Sequence, residues 1–140
     1  MPPFIHKGRV AFHSTDAAGI VHFANYFRYM EEAELQALHA CGFRPDGHAY
    51  PRVHVEADYC APLRFWDTVT VQAALLHIGN STLHWQFTFS GPQGTCAVLK
   101  CVSARRSADL SAPAPYTQAE RERLADLLIN NGDSCNIQEK

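Results

Sequence analysis

Apolar residues recur at steps of three and four in the first third of the chain and predict one long amphipathic helix. The recurring positions are Phe23, Tyr26, Phe27, Met30, Ala33, Ala37, Leu38 and Cys41. This spacing places them on one face, and Gly42 then provides a stop signal. Residues 7–12 alternate loosely and predict a first strand, whereas residues 13–22 predict a turn between strand and helix.

Four strand-like stretches follow the helix after a loop. They cover residues 53–61, 68–77, 82–90 and 95–104, and short segments with turn chemistry separate them. Short connections between consecutive strands favour an antiparallel meander over βαβ crossovers. Further on, Thr117 and Glu120 have the spacing of a capping box in front of a helix over residues 121–129. The pattern therefore predicts an α+β domain with an antiparallel sheet.

Length and composition predict a single domain over residues 1–140, with a frayed tail from about residue 131. The hydrophobic content of 46% and charged content of 19% are typical of a folded protein. A net charge of −2 gives no reason to expect nucleic acid or an anionic membrane as a partner. No apolar run could span a bilayer, and the first residues lack the layout of a signal peptide. We therefore expect a cytoplasmic protein whose five cysteines are reduced thiols.

One carboxylate stands between the predicted first strand and the helix. Asp16 lies in the turn, and Gly19 lets the backbone bend sharply three residues later. A helix that begins near Phe23 would direct its unpaired N–H groups and the positive end of its dipole toward this acid. An acid beside such donors suits acyl transfer. The alternative is that Asp16 only caps a helix or shapes the turn.

The spacing of the residues around Asp16 resembles the signature of the 4-hydroxybenzoyl-CoA thioesterase group of the hotdog superfamily. The matching positions are Arg9, Val10, Thr15, Asp16, Gly19, Ile20, Val21, Phe23 and Tyr26. The resemblance implies a hotdog fold, in which a curved antiparallel sheet wraps around a long central helix, here with a C-terminal helix as well. It also implies a homodimer with joined sheets, or a dimer of such dimers, with active sites at the subunit junction.

The same resemblance implies an acyl-CoA thioesterase that needs neither a metal nor another cofactor. Asp16 would attack the thioester carbonyl or activate a water, and the backbone N–H of Phe23 would hold the oxyanion. Glu31 stands where relatives carry an acid on the central helix. Candidate substrate contacts are Gly19, His22 and Tyr26 near the helix start, and Asn80, Ser81, Arg105 and Arg106 for the CoA phosphates.

Two further groups of charged residues have alternative interpretations. His54, Glu56 and Asp58 alternate along one strand like a metal face, but a solvated or paired strand face is the simpler interpretation. Glu34 falls within the apolar face of the helix, where a carboxylate needs a partner or a raised pKa. The plainer expectation is that its charge reaches out to solvent at the far end of the helix.

Two other functions stay open from the sequence. A hotdog hydratase or dehydratase pairs a histidine with an acid, commonly with Gly and Pro shortly after the histidine, and His22 lacks that context. A non-catalytic acyl-CoA-binding module would have no need of an intact acid and glycine. The acyl group itself is not predicted, because residues of two subunits, around Phe27, Tyr29 and Phe65 among others, would shape its pocket.

Overall fold

A five-stranded sheet and one long helix dominate the computed structural model, which describes residues 4–44, 46–130 and 132. Its elements in chain order are β1 (Phe4–Arg9), α1 (Tyr26–Ala40), β2 (His48–Ala49), β3 (Arg52–Tyr59), β4 (Thr68–Ile78), β5 (Thr82–Gly91), β6 (Gly94–Ala104), β7 (Arg106–Ser107) and α2 (Gln118–Leu124). Single 3₁₀ turns cover Phe12–Ser14, Phe23–Asn25 and Ala125–Leu127. The predicted α+β class with an antiparallel sheet is confirmed.

The sheet is antiparallel throughout and has the strand order β1-β4-β5-β6-β3. Strands β4, β5 and β6 form a meander, as predicted. Strand β3 pairs with β6 and not with its successor β4, so the prediction of a meander through all four strands is wrong. The connection over residues 60–67 spans three interstrand spacings of about 4.8 Å each, a distance well within its reach. Strands β1 and β3 are consequently the two edges.

Helix α1 buries its predicted apolar face against the sheet. Met30, Ala33 and Ala37 on this face are buried in the same core as the aromatic side chains of β5. Those aromatic residues are Trp85, Phe87 and Phe89, all fully buried. The helix ends at Ala40, and Gly42 follows with φ +83°, the left-handed conformation that glycine adopts beyond a helix end. The predicted helix and its stop signal are thereby confirmed, except that Phe23, the first residue of the predicted apolar face, lies in the 3₁₀ turn before α1 and is exposed.

The ends of several elements differ from the prediction. Strand β1 begins and ends three residues earlier than residues 7–12, because Phe12–Ser14 winds into a 3₁₀ turn instead of continuing the strand. The capping box at Thr117 is present, but α2 ends at Leu124, where the chain tightens into another 3₁₀ turn. The short pair of β2 with β7 was not predicted, since it joins two segments distant in sequence. The predicted frayed tail lies outside the described residues except at Gly132.

Strand β3 is an exposed edge. Four consecutive residues, 53–56, are exposed, so neither face of this part of the strand is covered. Val53 and Val55 place two large apolar side chains in solvent at this edge. Such an edge is a template for pairing with another strand.

Within the described residues, no helix is both long and apolar enough to cross a membrane.

Candidate active site

Asp16 sits in a tight turn that its own side chain helps to hold. The Gly19 N–H donates to the Asp16 carbonyl oxygen at 2.9 Å, and Gly19 has φ +78°, which favours glycine. The Ala18 N–H donates to Asp16 Oδ1 at 2.8 Å. In the part of the chain that the structure describes, Oδ2 has no hydrogen-bond donor. Asp16 therefore shapes the turn, as the alternative interpretation held, and still keeps one exposed carboxylate oxygen for chemistry.

The start of the helical segment leaves one backbone donor unused. His22 precedes the 3₁₀ turn, and its Nδ1 accepts a hydrogen bond from the Ala24 N–H at 3.2 Å. Its carbonyl oxygen accepts from the Asn25 N–H at 2.9 Å. The Phe23 N–H has no acceptor among residues 4–44, 46–130 and 132. An unpaired N–H at the positive end of a helical segment is suited to hold a developing oxyanion.

Asp16 and Phe23 line one cleft of about 520 Å³. Its other walls are Ile20, Val21, Tyr26, Tyr59, Cys60, Ala61 and Pro62. The Tyr59 hydroxyl donates to the Phe23 carbonyl oxygen at 2.9 Å, and the Tyr26 ring packs edge-on against Tyr59 at 5.0 Å. Burial, with smaller effects of Cys96 and Tyr59, raises the pKa of Tyr26, so its hydroxyl stays protonated. The cleft is thus an apolar, aromatic slot with one carboxylate and one free N–H.

Three hydrogen bonds tie the turn before Asp16 to the helix. Asn25 Nδ2 donates to the Ser14 carbonyl oxygen at 2.8 Å, and the Tyr29 hydroxyl donates to Ser14 Oγ at 2.9 Å. The same hydroxyl accepts from the Ala11 N–H at 3.3 Å. These contacts fix the carboxylate relative to the helix start. Sequence reasoning did not assign positioning roles to Asn25 and Tyr29, although both are polar residues near the first turn of the helix.

Glu31 and Glu34 lie at a different cavity, of about 150 Å³. Glu34 is buried, and both of its oxygens accept from the Arg52 guanidinium, at 2.6 and 3.0 Å. The expectation that Glu34 reaches solvent is wrong, because Arg52 of β3 supplies a half-buried cationic partner that the helical pattern cannot show. Burial lowers the pKa of Arg52, but the hydrogen bonds and charge of Glu34 outweigh it and raise that pKa. Glu31 is exposed, with Oε2 3.8 Å from Arg52 Nη2, and does not line the Asp16 cleft.

The candidate phosphate contacts are not gathered at the cleft. Arg105 is buried, and its guanidinium donates to the Glu120 carboxylate and to two backbone carbonyl oxygens. These bonds leave it unavailable to a phosphate, so the expectation for Arg105 is corrected. Arg106 is half-buried and donates from Nε to the Leu110 carbonyl oxygen. Asn80 and Ser81 accept hydrogen bonds through their carbonyl oxygens, from the Tyr116 and Arg105 N–H groups.

Two of the three alternating charged residues of β3 form a pair in the structure. His54 Nε2 lies 3.2 Å from Glu56 Oε1, and both side chains are exposed. No group of three or more histidine, cysteine, aspartate or glutamate side chains in the described part of the chain is arranged to hold a metal ion. The exposed His22 ring serves as the cap described above and stacks on Phe23 at 4.6 Å.

Comparisons with known proteins show the family of the chain. The family model of the thioesterase superfamily matches residues 18–98. Over 93 residues the chain is 40% identical to a candidate esterase of Aquifex aeolicus (strain VF5), covering 63% of this chain and 70% of the relative. A 1,4-dihydroxy-2-naphthoyl-CoA hydrolase of Prochlorococcus marinus (strain NATL2A) is 33% identical over 112 residues, which cover 69% of this chain and 72% of the relative.

Solved structures show the same architecture. A gentisyl-coenzyme A thioesterase superimposes with a TM-score of 0.78 at 25% identity, over 86% of this chain and 99% of the other. An Aquifex aeolicus protein of undetermined function superimposes with a TM-score of 0.80 at 28% identity, over 87% of this chain and 99% of the other. Each match covers more than four fifths of this chain and almost all of the other.

Proposed function

Because the chain belongs to the thioesterase superfamily, has its hotdog fold and is a thioester hydrolase, we propose that it cleaves an acyl-CoA to the free acid and CoA at the Asp16 cleft. One observation carries the assignment of residues: Asp16 and the unpaired Phe23 N–H line the same slot. The carbonyl oxygen of the thioester would accept from this N–H while the carboxylate acts at the carbonyl carbon. Removing such a donor typically lowers turnover about 100- to 1,000-fold.

Asp16 can act by either of two routes. It attacks the carbonyl carbon and forms a mixed anhydride that water then hydrolyses, or it removes a proton from a water that attacks directly. Both routes release CoA as a thiolate, which leaves readily without strong acid assistance. The Ala18 N–H holds one carboxylate oxygen, and the other remains for either role. Tyr26, protonated and buried in the wall, contributes shape and not charge.

The walls of the cleft favour a flat acyl group. Tyr26, Tyr59 and Phe23 line the slot, and the first two meet edge to face. Rings of this kind pack well against another aromatic ring. We therefore assign the chain, within the superfamily, to the 4-hydroxybenzoyl-CoA thioesterase group and expect an aromatic acyl group. Two of the relatives named above act on hydroxylated aromatic acyl-CoAs, which supports this assignment.

A panel of acyl-CoAs, monitored by thiol release, tests the proposed activity. We expect hydrolysis of 4-hydroxybenzoyl-, 1,4-dihydroxy-2-naphthoyl- or gentisyl-CoA with kcat/KM at least about tenfold above that of butyryl-CoA. Water addition to crotonyl-CoA without thiol release would instead indicate a hydratase. Binding of CoA without thiol release from any member of the panel would indicate a non-catalytic module. Butyryl-CoA as the better substrate would overturn the assignment of an aromatic acyl group.

The exposed edge of β3 supports a second copy of the chain as the partner. Val53 and Val55 are exposed on this edge, and the strand ends at Tyr59 in the wall of the Asp16 cleft. A partner paired along β3 would thus cover the apolar edge and complete the cleft wall. We infer a homodimer, or a dimer of dimers, in which Glu31 reaches the site of the neighbouring copy.

Val55→Lys should weaken this association. A charge on the edge strand opposes pairing with another strand, and we expect the dimer dissociation constant to rise at least about tenfold. Analytical ultracentrifugation over a concentration series measures it. Leu110→Lys is the matched control, because Leu110 is exposed to a similar degree but lies outside the sheet edge. A wild-type chain that stays monomeric at micromolar concentrations would refute the homodimer.

A further inference from the structure

Three aromatic side chains form an exposed patch that the proposed chemistry does not use. Phe12, Phe65 and Trp66 are 74%, 50% and 61% exposed. The Phe12 and Phe65 rings meet edge to face at 5.6 Å, and the Phe65 and Trp66 rings are 5.9 Å apart. Together with the exposed Arg9 and Arg64 they are called the aromatic patch below. A contiguous exposed apolar patch on a folded protein often marks a site that binds a ligand or a partner.

The structure holds Trp66 outward at a conformational cost. Its φ is +71°, in a region that side chains larger than hydrogen rarely adopt and that proteins retain mainly at functional sites. The Trp66 N–H donates to the Val10 carbonyl oxygen, and Arg9 Nη1 donates to the Trp66 carbonyl oxygen, both at 3.0 Å. The Arg9 guanidinium also covers one face of the indole, 4.9 Å from the ring. One face of the ring is therefore occupied, and the ring as a whole stays exposed.

The aromatic patch is continuous with the rim of the Asp16 cleft. Pro62 lines the cleft, and the same connection continues through Arg64 to Trp66. Ile20, in the cleft wall, pairs with Arg64 in an antiparallel bridge, and the Val21 N–H donates to the Leu63 carbonyl oxygen at 2.8 Å. A ligand that leaves the cleft along this connection reaches the patch. The two surfaces share one short segment of backbone.

We propose that the aromatic patch binds the nucleotide end of CoA, with the adenine stacked on the open face of Trp66 and the phosphates held by Arg9 and Arg64. The proposal rests on the proposed function, since it takes an acyl-CoA as the ligand of the cleft. Adenine has a flat π-face that stacks on an indole, and the 3′-phosphate and diphosphate are the anions that guanidinium groups bind best. In the described part of the chain, the Arg64 guanidinium has no hydrogen-bond acceptor, so its donors are available.

The two tryptophans of the chain make a direct binding test possible. Trp85 is fully buried and Trp66 is exposed, so acrylamide quenching of the intrinsic fluorescence reports mainly on Trp66. Saturating CoA should lower the quenching constant at least about twofold, dephospho-CoA should bind more weakly, and pantetheine should have no effect. In Trp66→Phe the response to CoA should disappear. Equal protection by CoA and pantetheine would overturn the proposal, because the ligand would then be recognised without its nucleotide.

Kinetics provides a second, independent test. Trp66→Ala should raise KM for an acyl-CoA about tenfold, the order of one lost base–aromatic stack, and leave kcat within about twofold. The same acyl group on pantetheine should give equal KM for variant and wild type. Arg64→Ala should raise KM for the acyl-CoA and flatten its salt dependence. Arg44→Ala is the matched control, since Arg44 is an exposed cation near the opposite end of the helix.

Several outcomes would overturn the proposal. Equal rises of KM for the CoA and pantetheine substrates would place the effect of Trp66 in the cleft and not at a nucleotide. A change in association state without a change in KM would make the patch a contact between copies of the chain. The fluorescence test needs no turnover, so it stays readable if the proposed hydrolysis fails. Conversely, an active enzyme whose Trp66 variant keeps its KM would refute the nucleotide site alone.

Discussion

Asp16→Asn should lower kcat for the best acyl-CoA by at least about 10³-fold. The amide can neither attack the thioester carbonyl nor accept a proton from water, and these are the two roles open to the carboxylate. The turn should survive, because the asparagine Oδ1 can still accept the hydrogen bond that the Ala18 N–H now gives to Asp16. The side chain is exposed, so little packing is lost. Thiol release under saturating substrate measures the effect.

Asp46→Asn is the matched control for this substitution. Asp46 is also exposed but lies far along the chain, outside the cleft, and its replacement should leave kcat unchanged. Circular dichroism and KM report whether the Asp16 variant keeps its fold and still binds substrate. A variant at residue 16 that retains more than about a tenth of kcat would remove this carboxylate from the mechanism. Single turnover in ¹⁸O-water tests for the covalent route: water attack on the aspartyl carbon of the anhydride puts the label in Asp16 and leaves the product acid unlabelled, whereas the general-base route puts it in the product acid.

The local geometry of the candidate site was predictable from the sequence because it lies within one short stretch of chain. Asp16, Gly19 and Phe23 are at most seven positions apart, and the turn and helix start between them are decided by local backbone chemistry. The core face of α1 was equally visible, since helical periodicity is local as well. For the same reason the capping box of α2 could be predicted from Thr117 and Glu120 alone.

Contacts between distant segments were not predictable. The alternation of β3 marks it as a strand but does not say that it pairs with β6, some 40 residues further on, instead of with β4. Arg105 looks like a free surface cation in the sequence, and only the fold shows that Glu120 and two carbonyl oxygens use its donors. The wall of the cleft also depends on a contact between distant segments. The Tyr59 hydroxyl meets the Phe23 carbonyl oxygen only because the fold brings the end of β3 beside the start of the helix. Tertiary pairing decides each of these features.

Arg52→Met should have the largest effect on stability. The Glu34 carboxylate is buried, and two charge-assisted hydrogen bonds from Arg52 compensate for the water it has lost. Removing the guanidinium leaves a buried charge without its partner, which typically costs about 3–5 kcal/mol. For a chain of 140 residues this corresponds to a loss of more than about 10 °C in Tm. Urea unfolding and thermal melts measure the change.

The double variant Glu34→Leu/Arg52→Met separates the cost of the unpaired charge from the worth of the pair. Replacing both partners by apolar side chains of similar volume is often neutral or stabilising, so the double variant should regain most of the stability lost by Arg52→Met. Arg44→Met is the matched control, since Arg44 is exposed, and it should shift Tm by less than about 2 °C. If the double variant is as unstable as Arg52→Met, the lost stability comes from other contacts of the arginine, such as the hydrogen bond from its Nη1 to Cys101 Sγ at 3.0 Å, and not from an orphaned carboxylate.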